Sequence, residues 1–213
     1  MRRRLLFVKQ RTAQILSLKS MVYRNLGKRI GVNQIKQLKE KDADRMFKES
    51  HLAMAAGHSI ATIRFLGQRI KSMEKAILKR ARLRPEFSYL LTTPGIGNIL
   101  GLTIMLEVGD ISRFPKVGKY ASYCRCVDSK WLSNNKRKGS GNRKNGNRYL
   151  SWAYVEAAHF AARYSMDAQR FNQRKKARTC EAVAVKALAH KLARATYYIM
   201  RDQVSFDERK LFR

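Results

Sequence analysis

An all-α fold is predicted by three observations. Apolar residues recur at three-four spacing over long stretches, no run of alternating strand residues stands out, and small residues stripe the C-terminal helices. The first stripe runs Leu5, Val8, Thr12, Ile15, Val22 and Leu26, with Leu18 or Lys19 at the intervening turn, and predicts an amphipathic helix ending near Gly27 or Gly31. The second runs Leu52, Ala56, Ile60, Ile63, Leu66, Ile70, Met73 and Ile77 with Arg and Lys on the outer positions, a coiled-coil-like arm of about four heptads. A helical hairpin that buries its own seam and a seam paired with a second subunit both satisfy this pattern. Pro85 closes the arm, which sets the predicted domains at 1–84 and 85–213.

The character changes at Leu90-Leu91-Thr92-Thr93-Pro94-Gly95-Ile96-Gly97. Two short helices flanking that turn would form a helix-hairpin-helix element, with Gly95 and Gly97 presenting open backbone amides to a phosphate. A tight connection between helices is the plain alternative. The next helix, Ile99 to Val108, is closed by Gly109, and Ser112-Arg113-Phe114-Pro115 opens another. Between Lys130 and Leu150 helical periodicity disappears. The stretch from Trp131 to Arg148 holds six basic residues, Lys136, Arg137, Lys138, Arg143, Lys144 and Arg148, and no acid, which reads as a basic loop facing nucleic acid. From Tyr149, Leu150, Ala153, Tyr154, Ala157, Ala158 and Ala161 mark a close-packing helix; after the basic connector 174–178, Ala182, Val185, Leu188, Ala189, Leu192 and Ala195 mark the last one.

Composition narrows the function. Lys+Arg number 46 against 15 Asp+Glu, a formal net charge of +31, while the apolar fraction of 45% is too high for a disordered basic tail. Nucleic acid is therefore the expected partner. No run of 18 apolar residues occurs and Met1-Arg2-Arg3-Arg4 is not followed by an apolar leader region, so a soluble, intracellular protein without membrane contact is expected. Cys124, Cys126 and Cys180 have neither the number of a disulfide framework nor the spacing of a zinc site, and are expected to be reduced thiols in packed positions.

Chemistry is sparse. Two-metal nucleases need converging carboxylates, but Asp42 and Asp44 sit in a stretch of alternating charge, Glu107 and Asp110 fit a cap better than a ligand set, and Glu156 with His159 lacks further ligands. No metal site is expected in this chain. A serine can cleave DNA without metal by attacking phosphorus and holding the strand as a phosphoserine, given cations to bind the phosphoryl oxygens. Ser133 and Ser140 both lie in the basic stretch, and spacing does not separate them.

The blocks Leu91-Thr92-Thr93-Pro94-Gly95-Ile96-Gly97, Glu107-Val108-Gly109-Asp110-Ile111-Ser112-Arg113-Phe114, Ser133 with Lys144-Asn145-Gly146-Asn147-Arg148-Tyr149-Leu150, and the Glu156-Ala157-Ala158 helix resemble, in order and spacing, the C-terminal domain of the insertion-sequence one-hundred-and-ten family of transposases. The preceding arm is similar to that family's coiled-coil segment. The resemblance implies a site-specific DNA recombinase of a mobile element, directed by a structured bridge RNA and joining a RuvC-like domain with metal-binding acids to a domain with a nucleophilic serine. Counting back thirteen residues from Gly146, as the family pattern directs, selects Ser133, with Ser140 a second candidate; the family's Ser-Gly pair is here Ser133-Asn134. The resemblance starts at the end of the RuvC-like domain, so the sequence is expected to be an N-terminally truncated transposase, with Mg2+ needed only alongside the missing domain and no cofactor in this chain. It further implies DNA and a guide RNA as partners, a homo-oligomer formed through the arm and a bacterial, nucleoid-associated location. The alternative is a non-enzymatic, nucleic-acid-binding or regulatory remnant.

Overall fold

The computed structural model describes residues 1–127, 130–140 and 145–212. The chain divides into two compact units, Met1–Ile77 and Leu78–Arg213. As expected the fold is all-α, and among the described residues the strands are confined to one short hairpin. No helix there is long and apolar enough to cross a membrane.

The first unit holds α1 (Arg2–Leu26), α2 (Val32–Gln37), α3 (Asp42–Met46) and α4 (Ser50–Ala81). Gly27 ends α1 in the left-handed region at φ 64°, its N–H donating to the Tyr23 carbonyl, a termination that glycine makes without steric cost. Ile15, Leu18 and Val22 of α1 are buried in one core with Ile35, Ala43, Phe47 and the α4 residues Ala53, Ala56, Ile60 and Ile63. The part of the seam from Ile15 to Val22 is thus filled within the chain, against Ala53–Ile63. The charged stretch 39–45 contributes α3, where Asp42 accepts from the Lys39 N–H at 2.7 Å and Ala43 enters the core.

In the second unit α4 stops at Ala81, and Pro85 is the first residue of α5 (Pro85–Leu91) rather than the end of the arm. Proline suits that position because the amide it lacks would have no helical acceptor. Next come α6 (Asn98–Val108), a 3-10 turn at Ile111–Arg113, α7 (Val117–Tyr123), β1 (Lys130–Ser133), β2 (Lys136–Ser140), α8 (Arg148–Tyr164), α9 (Met166–Arg178), α10 (Glu181–Asp202) and α11 (Glu208–Phe212). The basic segment 174–178 forms the last turns of α9 and is no connector. α6 is buried almost all round, which its uniformly apolar sequence permits, and packs on α5 and α8. The alanines of α8 let α10 approach: Ala153, Ala157, Ala158 and Ala161 are wholly buried, as are Ala184, Ala189 and Ala193 of α10.

A polar chain crosses this apolar core. Tyr120 and Tyr154 share a hydrogen bond of 2.5 Å between hydroxyls, and Tyr154 bonds the Thr196 hydroxyl at 2.6 Å. Tyr197 donates to the Phe114 carbonyl at 2.9 Å. Each of these buried hydroxyls therefore has a partner, as burial demands. The C-terminal segment is tied down by the Phe206 N–H to Thr92 Oγ1, the Ser165 hydroxyl to Glu208 and the Lys191 ammonium to the Leu211 carbonyl.

Candidate nucleic-acid interface

The described part of the basic stretch, residues 130–140, is a β-hairpin, not a loop. Asn134 and Asn135 take φ of 49° and 57°, and two consecutive left-handed residues make the mirror-image turn that matches the twist of paired strands. Asparagine tolerates this conformation, so a stretch without alternating hydrophobicity still folds back on itself. The antiparallel register sets Ser133 opposite Lys136, Leu132 opposite Arg137 and Trp131 opposite Gly139, leaving Lys138 unpaired in a bulge. Ser133, Lys136 and Lys138 are exposed. Ser133 is the last residue of β1, directly before the turn, and Ser140 is the last of β2 at the other end of the hairpin. Arg143 and Lys144 lie outside the described residues.

Residues 145–147, ahead of α8, are stapled to the helices. Arg125 donates from Nε to the Asn145 carbonyl at 3.1 Å and from Nη2 to the Gly146 carbonyl at 2.9 Å. Gly146 sits at φ 90°, and a Cβ there would come within 2.5 Å of the Tyr123 carbonyl oxygen, so no other residue fits. Asn147 then donates its N–H to that same carbonyl at 2.6 Å, caps α8 by accepting from the Tyr149 and Leu150 N–H groups, and donates from Nδ2 to Glu107 at 2.7 Å. Glu107 is thus a partner of the α8 cap. Asp110 caps the 3-10 turn by accepting from the Ser112 N–H at 2.8 Å, which holds its carboxyl below the ordinary carboxylate range.

Arg148 opens α8, exposed, with its guanidinium 4.9 Å from the Tyr149 ring and bonded to that phenol. Gly95, at φ 82°, packs the α5–α6 turn onto the middle of the same helix: a Cβ would collide with the Ala157 carbonyl and the Ala161 nitrogen. Gly97 is exposed and is the N-cap of α6, whose first amides receive no side-chain cap. The two glycines differ in role, since one is turned into a helix–helix contact and the other faces outward at a helix start. Arg148 and Ala157 are nine residues apart on α8, about 14 Å along its axis.

Sequence reasoning missed Arg125 and the role of Asn147. Asparagine immediately before an apolar helical stripe is a cap signal and would have found Asn147. No local pattern marks Arg125, whose acceptors lie about twenty residues on. The thiols divide: Cys124 and Cys126 are buried, and Cys180, expected to be packed, is exposed at the N-cap of α10. Among the described residues no set of carboxylates, histidines or cysteines gathers that could hold the magnesium ion that the resemblance assigns to a RuvC-like domain.

No curated protein matches the chain. Residues 88–176, from within α5 to the last turns of α9, match the model of the Transposase IS116/IS110/IS902 family. That span contains the Gly95–Gly97 turn, the hairpin with Ser133 and the capped start of α8. The match supports an IS110-family transposase domain within the second unit, and with it a transposase or recombinase role with DNA as the suggested partner.

Proposed function

We propose that the chain is a DNA-binding transposase that cleaves and joins strands through Ser133. What carries this reading is the cross-strand pair of Ser133 and Lys136, both exposed, flanking the tight turn of a hairpin in a stretch without an acid. Directly opposed residues of an antiparallel pair hold their Cβ atoms about 5 Å apart, so a lysine ammonium can bind a phosphoryl oxygen while the serine oxygen faces phosphorus. In the cleavage step the Ser133 oxygen forms a bond to phosphorus as one ester bond of the strand breaks, and the departing oxygen leaves as a hydroxyl. In joining, a strand hydroxyl displaces Ser133, and the proton that left the serine returns to it. The number of phosphodiesters is conserved and no energy source is consumed.

Lys136, Arg137, Lys138, Arg143, Lys144 and Arg148 are assigned to the DNA backbone, and Gly97 presents the open amides of α6 in the manner of a helix-hairpin-helix element, with Gly95 setting the turn against α8. This reading adds a structured guide RNA as a partner and self-association through the helical arm. In this reading an acidic, metal-binding domain accompanies the serine for complete strand exchange.

The test is adduct formation on DNA carrying element ends, with guide RNA and an intact relative impaired in its own serine supplied in trans. A covalent protein–DNA species that disappears in Ser133→Ala and persists in Ser140→Ala is the expected result. Tight, salt-sensitive binding with no adduct under any complementation sinks the catalytic assignment and leaves a binding module.

A further inference from the structure

α1 and α4 of the first unit run antiparallel with matched heptad steps. Arg4 on α1 meets Glu74 on α4 at 2.7 Å. Seven residues further along α1, Arg11 lies against Gly67, seven residues back along α4, where the atom nearest to a Cβ would be an Arg11 terminal nitrogen at 3.8 Å. The fold gives the first arginine a carboxylate and gives the second a cleft. That cleft, of about 210 Å³, is lined by Arg11, Lys36 of α2, and Arg64, Gln68 and Lys71 of α4, with the buried Ile63 beside them.

Its chemistry is that of an anion site. Arg64, Gln68 and Lys71 recur at one-turn intervals on one face of α4, and a terminal nitrogen of Arg11 reaches Gly67, which lines the same cleft. The lining contains no acid, and among the described residues none of its four cations is paired with a carboxylate. The Arg11 Nε is buried with no acceptor. Four like charges around one concavity repel, and that repulsion is relieved when an anion enters. A tetrahedral phosphate fits the donors: the planar fork of arginine, two mobile ammonium groups and an amide. Over Arg64–Ile77, α4 carries four basic residues and one acid, Glu74, which Arg4 already occupies. A polyanion running along the helix suits this better than an isolated ion.

We infer that the Arg11 cleft seats a backbone phosphate of nucleic acid, which gives the first unit a contact of its own in addition to the hairpin of the second. The inference rests on the nucleic-acid reading proposed above. DNA and RNA share the phosphodiester, and the arms of the test separate them.

The experiment uses the full chain and measures affinity for a duplex DNA, and separately for a single-stranded RNA of equal length, across a salt series. Three double variants are compared with the parent: Arg64→Gln with Lys71→Gln in the cleft, Arg24→Gln with Lys28→Gln as an exposed pair of equal charge in the same unit, and Lys136→Gln with Lys138→Gln in the hairpin. For each phosphate that the cleft pair no longer neutralises, the slope of log K against log salt is expected to shrink by about 0.9 on duplex or about 0.7 on single strand, and the exposed pair is expected to change it by less than half as much. The polymer whose cleft-dependent change in slope, divided by its own value per phosphate, is the larger is the one seated. Lys36 and Lys71 are expected to be protected from acylation in the complex, and Lys28 not. Equal slopes for the cleft and exposed pairs overturn the inference, as does unchanged reactivity of Lys36 and Lys71 in the complex. Protection by millimolar inorganic phosphate but by neither polymer also overturns it. A hairpin pair that leaves the slope unchanged while the cleft pair lowers it removes the hairpin assignment and keeps the cleft.

Discussion

Gly95, Gly97 and Gly146 all lack a side chain, yet the structure separates them. Gly95 and Gly146 stand at φ 82° and 90° with backbone atoms of Ala157 and Tyr123 where a Cβ would go, whereas nothing lies within 4 Å of a Cβ at Gly97. Gly95→Ala and Gly146→Ala are each expected to cost about 2 kcal/mol or more, and Gly97→Ala less than about 1 kcal/mol, read from urea unfolding midpoints. Equal effects at all three positions would refute this assignment. The thiols make a second residue-scale case. Burial pushes Cys126 up to about 12 and Cys124 higher still, while Cys180 is exposed. A disulfide reagent at pH 8 should titrate one thiol in the folded chain and all three after unfolding. The pH dependence has a definite sign. In the folded state the buried thiols and the buried phenols of Tyr120 and Tyr154 hold their protons beyond the pH at which the unfolded chain releases them. Stability is therefore complete below about pH 8.5 and declines through the alkaline range toward 12, by up to about 1.4 kcal/mol per pH unit for each such group. A melting temperature that stays level between pH 8 and 11 would contradict it.

Among the elements, the hairpin and the arm answer to different forces. The hairpin is held by its turn and by the pairing of its strands, and the Arg125 and Asn147 bonds fix residues 145–147 ahead of α8. Asn135→Gly creates the Asn-Gly pair favoured in this turn and should slow amide exchange in Lys136–Ser140, without change in the helices. Asn147→Ala removes the α8 cap and the Glu107 bond together, with an expected loss of about 1–2 kcal/mol and faster exchange at the start of α8. The arm is stabilised by burial instead. Ile60 is fully buried between α1 and α4, so Ile60→Ala is expected to cost about 2–5 kcal/mol, measured by calorimetry, while substitutions at exposed Phe65 on the same helix cost little.

For the whole molecule, charge dominates. A formal net charge of +31 is balanced by few internal ion pairs among the described residues, and most of these are exposed neighbours such as Arg45 with Asp42 and Arg170 with Asp167, which add little to stability. The excess favours a polyanionic partner, so affinity for DNA should fall steeply and linearly in log–log form with salt. Ser133→Ala should leave that slope unchanged, because a neutral hydroxyl releases no counterion; a changed slope would mean that the substitution alters binding and not chemistry.

Periodicity located α1, α4, α8 and α10, because a stripe of apolar residues at helical spacing has to be buried along one side, and α6 was legible as an apolar run closed by Gly109. The basic charge and its gathering between residues 130 and 148 were equally plain, since composition is independent of geometry. The hairpin was not: its signal is two asparagines with positive φ, and asparagine only permits that conformation. Nor did sequence reveal that Gly95 serves a contact with α8, that Glu107 belongs to the cap of a helix forty residues later, or that Arg4 is neutralised where Arg11 is not. These depend on which distant atoms the packing brings together. Local propensity and amphipathicity are set by neighbours in sequence, whereas close approach, cap partners and the pairing of charges are decided only when separate elements meet.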